Sequence, residues 1–203
     1  MELNDVDIEV LSTLGKFKCE EDILDYNATT LNLPNLQQAG YIGAYNATTV
    51  NLPNLQEAGE ISAPYATTVN LPNLKKSGSI NADNATTVNL PNLQETWNIS
   101  ADNATTLNLP NLQYAGTIFA RNATTLNLPN LQESEYINAA NATTVNLPNL
   151  QKSRNIYTQK AKKIIIPSNL KRNLKDYPDD CEIIHPDLEA TPKLESFKTF
   201  FYK

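Results

Sequence analysis

The residue types that most often carry chemistry are few in this chain and lie far apart. His185 is the sole histidine, which excludes a multi-histidine metal site, and beside Pro186 we interpret it as structural. Asp83 and Asp102 are 19 residues apart, so stacked repeats would set their carboxylates side by side, as acid–base catalysis or a cation would require. We interpret both as solvated turn residues.

Other catalytic signatures are missing as well. The sequence has no glycine-rich phosphate loop and no Gly-x-Ser-x-Gly elbow. Its expected strand positions hold Thr, Asn, Ser and Gly, whereas polysaccharide-cleaving β-helices cluster Asp, Lys and Arg on one face. We therefore predict a protein that is not an enzyme, with no catalytic residues, no metal, no cofactor and no small-molecule substrate. Cys19 and Cys181, one in each flank, are expected to be free thiols.

The elements that would position any site come from one 19-residue repeat, written seven times over 26–158. Leu-Pro-Asn-Leu recurs in all seven copies. Asn-Ala-Thr-Thr recurs in six, beginning at Asn27, Asn46, Asn84, Asn103, Asn122 and Asn141, while Tyr65 takes the Asn place in the third copy. A fixed short period without insertions predicts successive turns of a solenoid, with the Asn27-type amides forming a ladder along one corner.

Alternation of apolar residues within a copy predicts two short strands per turn. In the first copy these run from about Thr29 to Leu33 and from about Tyr41 to Ala44. Pro34 has no amide proton to donate, so Pro34-Asn35 is expected to form the corner between them. A helical arc is the alternative, but only about seven residues separate the strands, and Pro34 and Gly40 would break that span.

These observations predict a mainly β, single-domain fold. It would be a nearly straight β-solenoid of about seven to eight 19-residue turns, with two short parallel sheets and small capping elements at both ends. Residues 1–25 would form an N-terminal cap, either a short helix or a strand followed by a helix, and 159–203 a degenerate eighth turn, a C-terminal cap and an aromatic tail. Ser168 is expected to cap a short helix over Asn169 to Asp176, followed by a strand from Cys181 to Ile184.

The repeat resembles a known family. Its Thr-Thr-Val-Asn-Leu-Pro strand followed by Leu-Gln-Glu-Ala-Gly is similar to the short leucine-rich repeats of bacterial BspA-like and Treponema-type proteins, and Ile164-Ile-Ile-Pro-Ser-Asn-Leu is the nearest single stretch. The resemblance covers about 26–175. It implies a β-solenoid of stacked leucine-rich turns and, since that family consists largely of binding proteins, a role in protein binding.

Charge is concentrated in the flanks. Residues 1–25 hold eight acidic residues, whereas the segment from Lys152 to Lys175 holds eight basic residues and no acid. Six of the latter form a candidate contact for an acidic partner or RNA: Lys160, Lys162, Lys163, Lys171, Arg172 and Lys175. A solvated terminal cap is the alternative. Nucleic acid is expected only at this cluster, and no secretory signal or apolar span is visible, so we expect a cytoplasmic protein that does not contact a membrane.

The repeats also distinguish an invariant face from a variable one. The outward side of the first strand is Thr-x-Asn in every copy, whereas the outward positions equivalent to 41 and 43 vary and include aromatic residues. Varied surfaces with aromatic anchors are typical of specific protein interfaces. The candidate partner-binding residues are Tyr41, Tyr45, Trp97, Phe119, Tyr136 and Tyr157, and neutral drift on a solvated face is the alternative for each.

Three functions are open at this point. The first is a binding scaffold that recognises a protein or ribonucleoprotein partner through the variable face. The second is a phage or mobile-element inhibitor that disables a bacterial defence complex such as a CRISPR effector, since a small, rigid protein without enzymatic motifs suits that role. The third is an ice-binding protein that uses the Thr-x-Asn ladder, for which a self-stabilising ladder is the alternative.

Overall fold

Each 19-residue repeat forms one turn of a β-solenoid, and parallel strands stack in register from turn to turn. The structure, a computed structural model, describes residues 2–3, 10–11, 13 and 15–189. It has about nine turns. The mainly β architecture predicted from the repeat is confirmed.

One long sheet runs along the whole solenoid. Its strands are Glu2–Leu3, Phe17–Cys19, Ile23–Asp25, Leu36–Ala44, Glu57–Ser62, Lys76–Asn81, Glu95–Ser100, Tyr114–Phe119, Glu133–Asn138, Asn155–Tyr157 and Leu174–Lys175. Within Glu57–Ser62, Ala58 and Ile61 are buried while the two residues between them are exposed. Each long strand therefore bends once, giving every turn two sides on this sheet.

Gly40, Gly59, Gly78 and Gly116 lie at this bend, in a column that holds Trp97, Glu135 and Arg154 in other turns. A Cβ atom on Gly59 would lie 2.8 Å from the carbonyl oxygen of Gly40, one turn away. Glycine therefore lets the backbones approach at the corner while the strand continues through it. The second strand of the first copy, Leu36–Ala44, is longer than the predicted Tyr41 to Ala44 because it continues through this corner.

The third side of each turn carries the Thr-x-Asn strands, which form two shorter sheets. The first contains Thr30–Asn32, Thr49–Asn51, Thr68–Asn70, Thr87–Asn89 and Thr106–Asn108, and the second contains Thr125–Asn127, Thr144–Asn146, Lys163–Ile165 and Glu182–Ile184. The fold thus has one long and two short sheets rather than two.

The core is a narrow column of identical or similar side chains. In the second copy the inward residues, all no more than 8% exposed, are Ala47, Val50, Leu52, Leu55, Ala58, Ile61 and Ala63. Each meets its equivalent above and below, for example Val50 beside Leu31 and Val69. Because seven of every 19 side chains leave water in this way, burial of apolar surface is the main force that holds the turns together.

The flanks add turns that the repeat count missed. At the N-terminal end Phe17–Cys19 and Ile23–Asp25 pair with the strand Leu36–Ala44, so this end continues the sheet in its described part. At the C-terminal end Ile164 pairs with Val145, as the eighth-turn alignment predicted, and Ile183 pairs with Ile164 in turn. These rungs bring the total to about nine.

The C-terminal elements differ from the prediction in detail. A 3₁₀ helix spans Ser168–Asn173, and the next two residues, Leu174–Lys175, pair with the long sheet instead of continuing the helix. Ser168 does not cap this helix, because its hydroxyl donates to Asp187 Oδ2 at 2.6 Å. A short α-helix, Pro186–Glu189, follows. The aromatic tail from 190 onward and most of the predicted N-terminal helix lie outside the described residues.

Candidate partner-binding surface

Three of the candidate aromatic residues form one continuous cluster near the C-terminal end of the long sheet. Phe119 and Tyr136 have ring centroids 5.6 Å apart, and Tyr136 and Tyr157 have centroids 5.2 Å apart. The Arg121 guanidinium lies 5.8 Å from the Phe119 ring centroid. Each of the three aromatic residues is half-buried, and together their rings form one apolar strip. We call this the C-terminal aromatic cluster.

A second cluster lies on the same face at the other end. Tyr26 and Tyr45 stack with centroids 5.1 Å apart and ring planes 8° apart. The hydroxyls of Tyr41 and Tyr45 are 2.7 Å apart, and both rings cover Gly43, where a Cβ atom would lie 2.6 Å from Tyr45. The hydrogen bond with Tyr41, followed by partial desolvation, raises the pKa of Tyr45 to about 12. Tyr26, Tyr41 and Tyr45 are the N-terminal aromatic cluster.

The outward positions between the two clusters are small and polar. In the columns equivalent to 41 and 43 they are Glu60, Ser62, Ser79, Asn81, Asn98, Ser100 and Thr117. The variable face, defined as these columns together with the two aromatic clusters, therefore has apolar patches at its ends and a flat polar middle.

Trp97 belongs to neither cluster. It occupies the column of Gly40 at the bend of the long strand, and its side chain is 77% exposed. Equivalent positions one turn away on either side are Gly78 and Gly116, so Trp97 stands in an otherwise shallow, glycine-lined corner. A groove of about 850 Å³ extends from Trp97 and Tyr114 toward the 3₁₀ helix.

The structure thus divides the six predicted partner-binding residues among three places. Tyr41 and Tyr45 lie together, as do the three residues of the C-terminal aromatic cluster, and Trp97 lies on a different side. Sequence reasoning missed Tyr26, Tyr114 and Arg121. Tyr26 could have been predicted from the sequence, because it lies one 19-residue period before Tyr45 and equivalent residues of successive turns stack on each other.

The two aromatic clusters differ in the charged residues around them. The N-terminal cluster lies in face segments 22–26, 41–45 and 60–64, which contain Asp22, Asp25 and Glu60 and no Lys or Arg. The C-terminal cluster lies in segments 117–121, 136–140, 155–159 and 173–177, which contain Arg121, Lys175 and Asp176. Asp25 is buried. Arg121 also contacts Asp102, one turn away, with 3.3 Å between Nη1 and Oδ2.

The six basic residues predicted as one contact are spread over several sides of the last turns. Lys162 and Lys163 lie on the Thr-x-Asn side, where Lys163 Nζ is 3.6 Å from Glu182 Oε2. Arg172 lines the groove that leads to Trp97, and Lys175 pairs in register with Tyr157 on the variable face. Lys171 is on the 3₁₀ helix and Lys160 at a corner. They surround the end of the rod and do not form a single patch.

The invariant face is a hydrogen-bonded ladder. Asn51 donates to Asn32 at 3.0 Å, Asn70 to Asn51 at 2.8 Å and Asn89 to Asn70 at 2.7 Å, and Thr hydroxyls donate to backbone carbonyls one turn away. The Asn27-type corner also forms a ladder over its later turns, where Asn103, Asn122 and Asn141 each bond the preceding amide. Asn84 follows Tyr65 and donates to the Pro64 carbonyl instead, at 2.6 Å.

The Thr-x-Asn ladder is interrupted once in the described part of the chain. Thr106–Asn108 and Thr125–Asn127 belong to different sheets. Four hydrogen bonds that join the intact turns on this side have no counterpart at this junction. In an intact turn they are Thr67 N to Thr48 O (2.8 Å), Thr67 Oγ1 to Thr48 O (3.1 Å), Asn70 Nδ2 to Asn51 Oδ1 (2.8 Å) and Leu52 N to Asn70 O (3.2 Å). The Thr and Asn side chains on both sides are exposed, as they are at the first rung.

The interruption coincides with the only two leucines stacked on each other in that inward column. The column reads Leu31, Val50, Val69, Val88, Leu107, Leu126, Val145 and Ile164. Leu107 is half-buried, whereas Leu126 is 1% exposed. We attribute the gap to crowding at this position of the turn, where the intact rungs hold at least one β-branched residue; in the column of Leu33 and Leu52, leucines stack on each other throughout the repeats.

The residues singled out for chemistry have structural partners. His185 Nδ1 is 2.8 Å from the carbonyl oxygen of Ile166, Ser100 bonds Asp83, and Asp102 pairs with Arg121. Cys19 and Cys181 are free thiols, as predicted. Among the described residues, no group of three or more His, Cys, Asp or Glu side chains is placed to hold a metal ion. Within the same residues, no helix has the length and apolarity needed to span a membrane.

Comparisons of the chain with protein-family models, with curated proteins and with solved structures find no match. The β-solenoid is shown by the structure itself. Affiliation with BspA-like leucine-rich repeats stays a prediction from the repeat sequence.

Proposed function

We propose that this protein is a non-enzymatic binding scaffold that recognises a protein or protein–RNA partner through the variable face. The observation that carries the proposal is the C-terminal aromatic cluster, in which the rings of Phe119, Tyr136 and Tyr157 pack at tilted angles beside Arg121. Tyr, Phe and Arg side chains contribute much of the anchor energy at protein interfaces, where they are enriched.

The packing of the rings favours binding because it lowers the entropy cost. Each ring of the C-terminal aromatic cluster is held by a neighbour one turn away and by the flat sheet beneath it. Fixing a mobile side chain at an interface costs about 0.5–1.5 kcal/mol. Rings that are already ordered avoid much of that cost, so the same contact area gives a higher affinity.

The rest of the repeat supports a scaffold role. The Leu and Ile core and the Asn and Thr ladders that hold the turns together change little from copy to copy, while the outward positions of the long sheet vary most. Repeat proteins commonly separate lattice residues from display residues in this way. The similarity of the repeat to leucine-rich repeats of binding proteins agrees with this interpretation, as an analogy.

The test is affinity capture from the native cell with the tagged chain and matched variants. We expect Phe119→Ala/Tyr136→Ala to lose the captured partner at least tenfold relative to the unaltered chain, by quantitative mass spectrometry. Tyr114→Ala is the matched control, because Tyr114 is also exposed and aromatic but lies on another side of the turn. Equal capture by all three proteins, each with an unchanged circular dichroism spectrum, contradicts the proposal.

A further inference from the structure

We propose that the C-terminal segment of this chain, residues 190–203, docks in the groove that extends from Trp97 and Tyr114 to the 3₁₀ helix. This inference goes beyond the proposed function, because the groove and the aromatic clusters of the variable face lie on different sides of the turn. Three observations carry it: exposed aromatic residues in the groove, buried polar atoms that lack a partner, and the place where the chain leaves the described residues.

The groove presents aromatic surface at one end. Trp97 is the most exposed large apolar side chain in the described part of the chain, and Tyr114, which lines the same groove, is 40% exposed. Ala115 and Gly116 also line it, so the surface beside the two aromatic residues is shallow. A volume of about 850 Å³ has room for several side chains. Large exposed aromatic residues that share a groove mark a contact surface.

Two polar residues at the other end of the groove have an atom without a hydrogen-bond partner. Ser153 and Asn173 line the groove, and Ser153 Oγ and Asn173 Oδ1 are buried with no partner among the described residues. The Asn173 amide nitrogen donates to the Arg154 carbonyl at 3.2 Å, so the orphaned Asn173 atom is an acceptor. Since buried polar atoms are nearly always paired, a donor from outside the described residues is expected here.

The chain leaves the described residues next to this polar end. The α-helix Pro186–Glu189 packs against the 3₁₀ helix, which forms one wall of the groove. Ser168 joins the two helices, because its amide and its hydroxyl donate to the Asp187 carboxylate at 2.9 and 2.6 Å. Glu189, the last described residue, therefore places the start of the C-terminal segment beside the groove.

The segment is long enough to reach Trp97. From the 3₁₀ helix the groove crosses the turns of Arg154, Glu135 and Gly116 before that of Trp97, which is four intervals or roughly 19 Å at the usual inter-strand spacing. Residues 190–203 span up to about 46 Å when extended. Tethering gives the segment an effective concentration on the order of 1 mM at the groove, so even a weak contact would be occupied most of the time.

The composition of the segment matches the aromatic end of the groove. Its large apolar residues are Leu194, Phe197, Phe200, Phe201 and Tyr202. So many aromatic rings in a short segment leave water only by packing against another surface, and aromatic pairs gain more than the burial of area alone. The adjacent rings of Phe200 and Phe201 suit the exposed pair in the groove, while backbone amides nearer residue 190 can donate to the orphaned acceptor at the polar end.

The experiment is acrylamide quenching of tryptophan fluorescence in the full chain. Trp97 is the sole tryptophan, so its emission reports on this groove alone. We expect quenching about fivefold weaker than that of N-acetyltryptophanamide. Phe200→Ser/Phe201→Ser should at least double the quenching and shift the emission to longer wavelength. Lys193→Ser/Lys198→Ser is the matched control, because it alters the same segment but keeps its apolar side chains, and it should change neither quantity.

Each other outcome overturns the inference. Quenching in the unaltered chain as strong as that of an exposed indole shows that the groove is open. Shielding that Phe200→Ser/Phe201→Ser leaves intact, or that both variants reduce equally, shows that the apolar side chains of the segment do not cover Trp97. Shielding that disappears on dilution shows that a second copy covers it instead. The capture experiment is independent of these results, since neither Phe119 nor Tyr136 lines the groove.

Discussion

Replacing one leucine at the interrupted junction should stabilise the protein. Leu107→Val converts the Leu107–Leu126 stack into the Val–Leu neighbour pair that is already tolerated at Leu31 and Val50, where the strands pair in register. Relief of the crowding should allow Thr106–Asn108 and Thr125–Asn127 to approach and to form the missing ladder.

The expected gain follows from the bonds that become possible. Closure would add Thr124 N to Thr105 O, Thr124 Oγ1 to Thr105 O, Asn127 Nδ2 to Asn108 Oδ1 and Leu109 N to Asn127 O, by analogy with intact turns. At about 0.5 kcal/mol each, the low end for exposed hydrogen bonds, these contribute about 2 kcal/mol. Loss of one buried methylene costs about 0.8 kcal/mol. The net gain is about 1 kcal/mol.

Chemical denaturation and hydrogen exchange would measure this effect. We expect a higher denaturation midpoint and slower exchange of the amides in 105–109 and 124–128. The matched control is Leu31→Val, which removes the same methylene from a fully buried leucine where the ladder is intact and should destabilise the protein by about 1 kcal/mol. If Leu107→Val destabilises the protein as Leu31→Val does and leaves those amides unprotected, crowding is not the cause of the gap.

Three further predictions concern single positions. In an ultraviolet titration, one of the nine tyrosines should ionise near pH 12 in the folded protein, and Tyr41→Phe should abolish this late step. Because the pKa of Tyr45 is raised above 10 in the folded state, its contribution to stability is complete below pH 10 and is lost as the pH rises from 10 to 12. Gly116→Ala should destabilise the fold by about 1–3 kcal/mol in denaturant titrations, because its Cβ would lie 2.6 Å from a backbone oxygen, whereas Gly15→Ala should be neutral. Asn89→Ala should cost about 1–2 kcal/mol by the same assay, because Asn89 bonds the asparagines on both sides of the ladder.

The architecture was predictable because the pattern of residues in one repeat indicates which side chains face the core. Alternation around Leu31 fixed the first strand, Pro34 fixed its end, and the exact period required equivalent residues to stack. The extra turns were less visible, since Phe17 and Ile183 occupy repeat positions without the surrounding repeat sequence. The length of the second strand was missed because a glycine at a bend within a strand and a glycine between two strands look alike in sequence.

The candidate surface was only partly predictable. Listing the aromatic residues identified Phe119, Tyr136 and Tyr157, but a list does not show which residues touch, and Trp97 was grouped with them although it lies around a corner. To separate Trp97 from the cluster, one must know where the long strand bends, and the bend is seen only from the burial of positions 58 and 61. The split of the Thr-x-Asn ladder depends on packing volumes within one column, which periodicity alone does not reveal.

The interrupted ladder also has a mechanical consequence. The long sheet joins all the turns, but the Thr-x-Asn sheet is interrupted at one junction, so this junction has the fewest hydrogen bonds. Tension applied to the two ends of the solenoid should therefore separate it between the strands Thr106–Asn108 and Thr125–Asn127. In an optical trap, the protein should therefore unfold in two steps, with the turns before the junction and the turns after it unfolding separately. The Leu107→Val variant should unfold at a higher force.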